Sequence, residues 1–264
     1  MSFPNVIYLN YGDEKVAQST KIGGNPIGQL MILPDGRKFR LSQADSSAAL
    51  IAGVVVGGGA ETAGHGNVSG SGLLASATTT ENKSGDTAVY IISQSAAILK
   101  DHFAEGELNV LGPAGSSAYA GRLYKVKANE SAAVSSRFKV TLEPYDSLKA
   151  DAKAGTTLHS LRVNPYARQV IYASGTGAPM GVVPTAVSAS FYFWVQRSGD
   201  ASCWQSATVV TDGAPVQADT ATAGSVTAFG AASASTNAWD RIPLGIARGA
   251  GAASQAVIVD LRLE

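Results

Sequence analysis

Polar and apolar residues alternate in short stretches along most of this chain, and the clearest case comes early. Lys38-Phe39-Arg40-Leu41 places Phe39 and Leu41 on one face and the two cations on the other, the period of a half-buried strand. Gln29-Leu30-Met31-Ile32-Leu33 precedes it, and Pro34-Asp35-Gly36 lies between. Pro presets φ for a turn and Gly supplies the positive φ that closes it, so the pattern predicts a hairpin. Ser42 is then a suitable N-cap with Asp45 three residues on. Ala44, Ala48, Ala49 and Leu50 favour a short helix over 42–56, to be stopped by Gly57-Gly58-Gly59. Residues 57–88 are rich in Gly, Ser and Thr and too poor in apolar residues to order themselves. They read as a flexible arm or linker.

Strand patterns resume at Ala88-Val-Tyr-Ile-Ile92. They continue through Glu107–Leu111, Arg122–Lys127 and Arg137–Leu142, with turn residues between them. Tyr145–Ala154 suggests a brief helical turn. Val170-Ile171-Tyr172 starts another strand, and Ser174–Pro179 reads as a loop. In the last third, Ser190–Gln196 is the most aromatic stretch. Thr208-Val209-Val210 leads to the turn signal Asp212-Gly213, and Gly224–Thr227, Ile242–Ala247 and Ala256–Leu263 follow. The sum is a mainly β chain of sandwich or barrel domains, with a short helix near the N-terminus and long Gly/Ser/Ala-rich loops. The expected division is 1–87 for the hairpin, helix and arm, 88–184 for a middle β-domain, and 185–264 for a C-terminal β-domain that packs alone or with the middle one.

Composition narrows the classes of partner. Charged residues are 15% of the chain against roughly 25% in an average soluble domain, and Ala, Gly, Ser and Thr take their place. Lys+Arg equals Asp+Glu, and the densest basic stretch is Arg37-Lys38-Phe39-Arg40. No run matches what phosphate binding needs, so nucleic acid is not an expected partner. A neutral surface of small residues repels its own copies weakly and suits close assembly. Cys203 is the single cysteine, which excludes an internal disulfide and multi-cysteine metal sites. Met1–Val6 lacks a basic segment followed by an apolar one, so no secretory signal is expected. The apolar run 47–60 is too short and too broken by Gly to span a bilayer. Asn67, Asn82 and Asn129 sit in glycosylation-acceptor patterns that, without a signal, are chance matches.

Local signatures of catalysis are missing. There is no phosphate-binding G-x-x-x-x-G-K-[ST], no G-x-S-x-G elbow and no H-E-x-x-H. The Gly-rich stretches 53–59 and 175–181 do not make a dinucleotide fingerprint. His65, His102 and His159 are not spaced as metal ligands. Ser136 and Lys139 match S-x-x-K, but on a strand they point to opposite faces. Asp101, Glu105 and Glu107, and Asp146 with Asp151, have the look of ordinary surface acids. Neither catalytic residues, nor a metal, nor a cofactor is expected.

In Ser190–Gln196, Phe191 and Phe193 share one face of the strand, and Tyr192 and Trp194 the other. Bulk on both faces suits a strand covered by its own core on one side and a second subunit on the other. Tyr and Trp are frequent interface anchors. Tyr192, Trp194, Trp204, Trp239 and Phe39 are the expected interface residues. A competing reading makes 190–204 the wall of a sugar cleft, which requires an exposed aromatic platform with a pair of acids beside it.

Several segments resemble structural proteins of tailed bacteriophages. They are Gly28–Gln43, Gly106-Glu-Leu-Asn-Val110 with Gly121–Val126, Asn164-Pro-Tyr166, and Met180-Gly-Val-Val183 leading to Tyr192–Gln196. The C-terminal part, with Ala214-Pro-Val216, Ala223-Gly-Ser-Val226 and Leu244-Gly-Ile-Ala247, is similar to head decoration proteins, whose small β-domain ends in a final strand. The resemblance implies a non-enzymatic cement subunit on the capsid surface, assembled in the host cytoplasm. Its implied partners are the major capsid protein and its own copies, as a homotrimer. Other virion positions, such as the tail, and a carbohydrate-binding virion module are the alternatives.

Overall fold

The computed structural model describes residues 6–58, 82–92, 97–111, 122–151, 158–173, 178–206, 210–230, 242–252 and 254–264. In chain order its strands begin with β1 (Val6–Tyr8), β2 (Ala17–Gln18), β3 (Leu30–Ile32), β4 (Lys38–Gln43) and β5 (Val55–Gly58). Then come β6 (Ala88–Ile92), β7 (Glu107–Leu111), β8 (Arg122–Asn129), β9 (Arg137–Leu142) and β10 (Leu158–Arg162). The remainder are β11 (Gln169–Ile171), β12 (Pro179–Val182), β13 (Tyr192–Trp204), β14 (Pro215–Ala218), β15 (Val226–Ala228), β16 (Pro243–Ala247) and β17 (Ala256–Arg262). The chain is mainly β, as its alternation predicts.

Two compact units divide the chain, and they are not consecutive segments. Residues 1–60 and 165–264 form one, and residues 61–164 form the other. The expected division at 87 and 184 gives way because β4 pairs with β13, which joins the early hairpin to the C-terminal strands. The inserted unit leaves after β5 and returns before β11. Those two strands pair with each other, Gln169 opposite Gly58 and Ile171 opposite Val56.

The inserted unit is a five-stranded antiparallel sheet in the order β10-β7-β8-β9-β6. β7, β8 and β9 form a meander and β10 returns beside β7, the order of a Greek key. Alternate residues point into its core: Val89 and Ile91, Leu108 and Val110, Tyr124 and Val126, and Phe138, Val140 and Leu142. Two of the glycosylation-pattern asparagines are structural here. Asn129 accepts the Phe103 N–H at 2.8 Å and donates to the carbonyls of Leu99 (2.9 Å) and Glu130 (2.8 Å). Asn82 accepts the Tyr90 N–H at 2.8 Å and donates to the Tyr90 carbonyl at 3.2 Å. Both side chains are buried, so neither is open to modification. Asn67 lies outside the described residues.

In the larger unit the main sheet runs β1-β3-β4-β13-β17-β16-β14-β15, and β2, β5, β11 and β12 attach beside it. The hairpin forms as expected: Leu33 and Arg37 close it, and Gly36 takes φ +85° in the turn. The helix expected over 42–56 does not form. Ser42 and Gln43 finish β4, Ala44 bridges Gln169, Leu50 bridges Val187, and Val55 opens β5. Long-range pairing with 165–192 outcompetes the modest helix propensity of the alanines. Among the described residues the helical pieces are two single 3₁₀ turns, Asp13–Lys15 and Ile22–Gly24. Tyr145–Asp151 holds one turn, closed by Asp146 N–H to the Glu143 carbonyl at 2.9 Å, and no helix. The predicted arm lies largely outside the described residues, and its first two, Gly57 and Gly58, belong to β5.

Asp45, read from sequence as part of a helix start, instead anchors this pairing. Its carboxylate accepts the Ser47 N–H at 2.9 Å and Arg168 Nε at 3.0 Å. Burial alone would raise its pKa, but the hydrogen bonds from Ser47 and the Arg168 guanidinium outweigh that and hold it below the usual carboxylate range. A folded-state pKa below the unfolded value of about 3.9 gives stability that is present above that value and lost as pH falls through the folded one. Urea-unfolding midpoints followed from about pH 6 down to about pH 3 should therefore decline. Asp45→Asn should lower the midpoint at neutral pH and make that decline shallower.

Candidate functional site

β13 carries the functional question, because its two halves meet different surroundings. In the first half, Phe193 and Val195 enter a core with Val56, Val183 and Val187. On the opposite face Trp194, 0% exposed, packs with Met31, Leu33, Phe39 and Leu41, with Tyr192 partly buried against them. The face that the sequence assigns to a second subunit is thus buried within the chain, among β3 and β4 residues beside β13 in the sheet and Ile7, Leu9 and Ile22 packed against them. Trp194 and Phe39 are core residues of their own chain and present no surface to a partner. Trp239 lies outside the described residues.

The second half of β13 runs beside β17 from Ser198 to Trp204. Asp200, Ser202 and Trp204 are exposed, while Ala201 and Cys203 are buried between them. Trp204 is 42% exposed, and its indole is fixed by donating Nε1–H to the Ala52 carbonyl at 2.8 Å. Gly53 makes this possible. It sits at φ +81°, and a Cβ there would lie 3.1 Å from Trp204 Cδ1 and 3.3 Å from the Ser202 carbonyl. Its N–H donates to Val183 at 2.7 Å, and its carbonyl accepts the Trp204 N–H at 2.9 Å.

Trp204 is one wall of a cleft of about 360 Å³. The rest of its lining includes Glu14, Lys15, Arg37, Gln196, Asp200 and Ser202, so two acids and two bases border the same cleft as the indole. Glu14 is buried, accepts the Gly12 N–H at 2.6 Å, and lies 3.9 Å from Arg37 Nη2. Arg37 is also held by Asp35, with Nε to Oδ2 at 2.7 Å, and its stem crosses Gly199 where a Cβ would come within 2.7 Å. Gln196 stiffens the floor: Nε2 donates to the carbonyls of Ser198 (3.3 Å), Gly199 (3.3 Å) and Asp200 (3.0 Å), across the bulge where β4 and β13 slip register. Asp200 lies 3.7 Å from Arg248 Nε, and Arg248 in turn bonds Asp260 at 3.2 Å.

A second surface lies at the edge of the same sheet. Among the described residues β1 pairs with β3 alone, and Tyr8 (76%) and Tyr11 (61%) are exposed there. In the inserted unit, Ile98 bridges Ala132, which brings exposed Leu99 and exposed Val134 onto adjoining segments. Sequence reasoning found Trp204 and missed Glu14, Arg37, Tyr8 and Tyr11. Tyr8 and Tyr11 carry no pattern beyond an aromatic pair near the N-terminus. Glu14 and Arg37 reach the cleft through pairing with residues more than a hundred positions away.

The other chemical candidates have structural settings. His102 stacks edge-on against Phe103 with ring centroids 4.8 Å apart. His65 and the side chain of His159 lie outside the described residues. Asp146 accepts the Lys125 N–H at 2.6 Å, and Asp151 accepts from Ser84 N–H and Lys83. Cys203 is buried, and burial pushes its thiol up to about 12. Among the described residues no group of three or more His, Cys, Asp or Glu is arranged to hold a metal ion, and no helix is long and apolar enough to cross a membrane. Comparison with protein-family models, with curated proteins and with solved structures finds no match.

The two tryptophans of β13 should separate in a stability measurement. Trp194→Ala should destabilise the fold by about 3–5 kcal/mol, the cost of emptying an aromatic site in a packed core. Trp204→Ala, on a half-open wall, should cost about half of that or less. Equal losses in chemical denaturation would contradict this assignment of core and surface.

Proposed function

We propose that this chain is a structural protein of a tailed-phage virion, a decoration subunit that binds the outer capsid lattice and stabilises the head without catalysis. The resemblance of Gly28–Gln43, Asn164–Tyr166 and the C-terminal segments to such proteins supplies the class. In this reading each unit is a sandwich- or barrel-type virion domain, self-association is trimeric, and the major capsid protein is the partner.

The observation that carries the reading is β1, which among the described residues pairs with β3 alone, with exposed Tyr8 at its end and exposed Tyr11 three residues on. A sheet edge presents backbone donors and acceptors to another chain, and edge pairing is a recurrent mode of protein association. Tyr8 and Tyr11 add contact area with few rotatable bonds beside that edge. The low charge of the chain keeps the desolvation cost of such contacts small. Burial at about 25 cal/mol per Å² of apolar surface supplies the stabilisation, less the costs of association.

Purified protein mixed with undecorated phage heads should co-sediment at copy numbers in the hundreds per head and raise the temperature at which the heads rupture. The double variant Tyr8→Ala/Tyr11→Ala should fold, as judged by circular dichroism, and lose about tenfold or more in head binding or trimer formation. A monodisperse monomer that neither binds nor stabilises heads would sink the proposal. A handful of copies per virion would move it to the tail.

A further inference from the structure

We propose that the Trp204 cleft is a binding site for a neutral saccharide. The lining contains no residue of β1 and neither Tyr8 nor Tyr11, so the proposal goes beyond the decoration reading and stands on its own residues.

The composition of the walls selects the ligand. One wall is the half-exposed face of a large aromatic ring held by a fixed hydrogen bond to Ala52. Such a face suits a flat, weakly polar surface, which the C–H face of a pyranose provides. The remaining lining joins an apolar part, with Val182, Val183 and Pro184, to groups that can only accept, Glu14 and Asp200, and groups that can only donate, Lys15 and Arg37. A hydroxyl both donates and accepts, so a polyol can meet both kinds at once. An anionic ligand would face the two carboxylates, a cationic one would face the ammonium and guanidinium, and a wholly apolar one would cover Lys15 and Asp200 without replacing their contacts with water. The volume of about 360 Å³ is at the small end for ligand pockets, the size of a mono- or disaccharide.

The site is also pre-organised, which lowers the ordering cost of binding. Gly53 lets the backbone approach the indole, Gln196 braces the three carbonyls at the bulge, and Arg37 is pinned between Asp35 and Glu14. Glu14 is buried, so its carboxylate is held at the cleft by the Gly12 N–H and does not swing freely in solvent.

The test is ligand-observed saturation-transfer NMR on the full chain. The probes are glucose, galactose, N-acetylglucosamine, maltose, cellobiose and lactose, with glucuronate and N-acetylneuraminate as charged comparisons. At least one neutral sugar should bind at millimolar concentration or below, more tightly than either acid. Trp204→Ala should weaken that sugar about tenfold or more, Trp204→Phe should keep most of the affinity, and Asp200→Asn should weaken it several-fold. Thermal midpoints and head binding of the same variants distinguish loss of the cleft from loss of fold or of decoration. No binding by any neutral sugar, a preference for the acids, or equal affinity in folded Trp204→Ala would overturn the proposal.

Discussion

The pairing of β13 with β4 along its first half and with β17 along its second is the interaction on which the larger unit depends. It joins residues near both ends of the chain to one central strand, and β2 and β12 meet that strand as well. Each ladder depends on the others, because the cores on the two faces of β13 are filled from partners distant in sequence. Trp194 needs the β3–β4 hairpin, and Cys203 and Ala201 need Val257, Val259 and Leu261. A contact set of this kind rewards the chain only after long loops have closed, so folding of this unit is expected to be slow and cooperative.

Local patterns carried the strands well. Alternation located β4, β6, β7, β8, β9 and β17 to within a few residues, and Pro34-Asp35-Gly36 located the turn, because these features depend on neighbours in sequence. The region 42–56 misled for a definite reason. Alanine-rich sequence is permissive for helix, but permission is weak against bridges such as Ala44 to Gln169 and Leu50 to Val187, which involve segments that no local window contains. The aromatic stretch was half legible. Its two bulky faces signalled burial on both sides, yet the residues packed on both belong to the chain itself. The cleft was hardest to see, since Glu14, Arg37, Asp200 and Trp204 belong to three separate stretches of sequence.

One strand thus serves two purposes. Over Phe193–Gln196 β13 is buried on both faces and stabilises the fold, and over Asp200–Trp204 alternate residues are exposed. The bulge at Gln196–Ser198 marks the change, with the Gln196 amide taking up carbonyls that the broken ladder leaves. Bulges commonly re-aim side chains near functional surfaces. Here the bulge separates a half of the strand spent on packing from a half available for contact.

The antiparallel pairing of β5 with β11 has a consequence for how such a chain can change over evolutionary time. Gly58 and Gln169 face each other across a ladder, so the host strands on either side of residues 61–164 pair as the two arms of a hairpin do. To the host sheet, the inserted unit is equivalent to a turn of unusual length. A lineage can therefore lose it, enlarge it or exchange it for another module while the stem keeps its register. The pairing of the stem places no demand on the surface residues of the inserted unit, whereas the host sheet is bound by its long-range ladders.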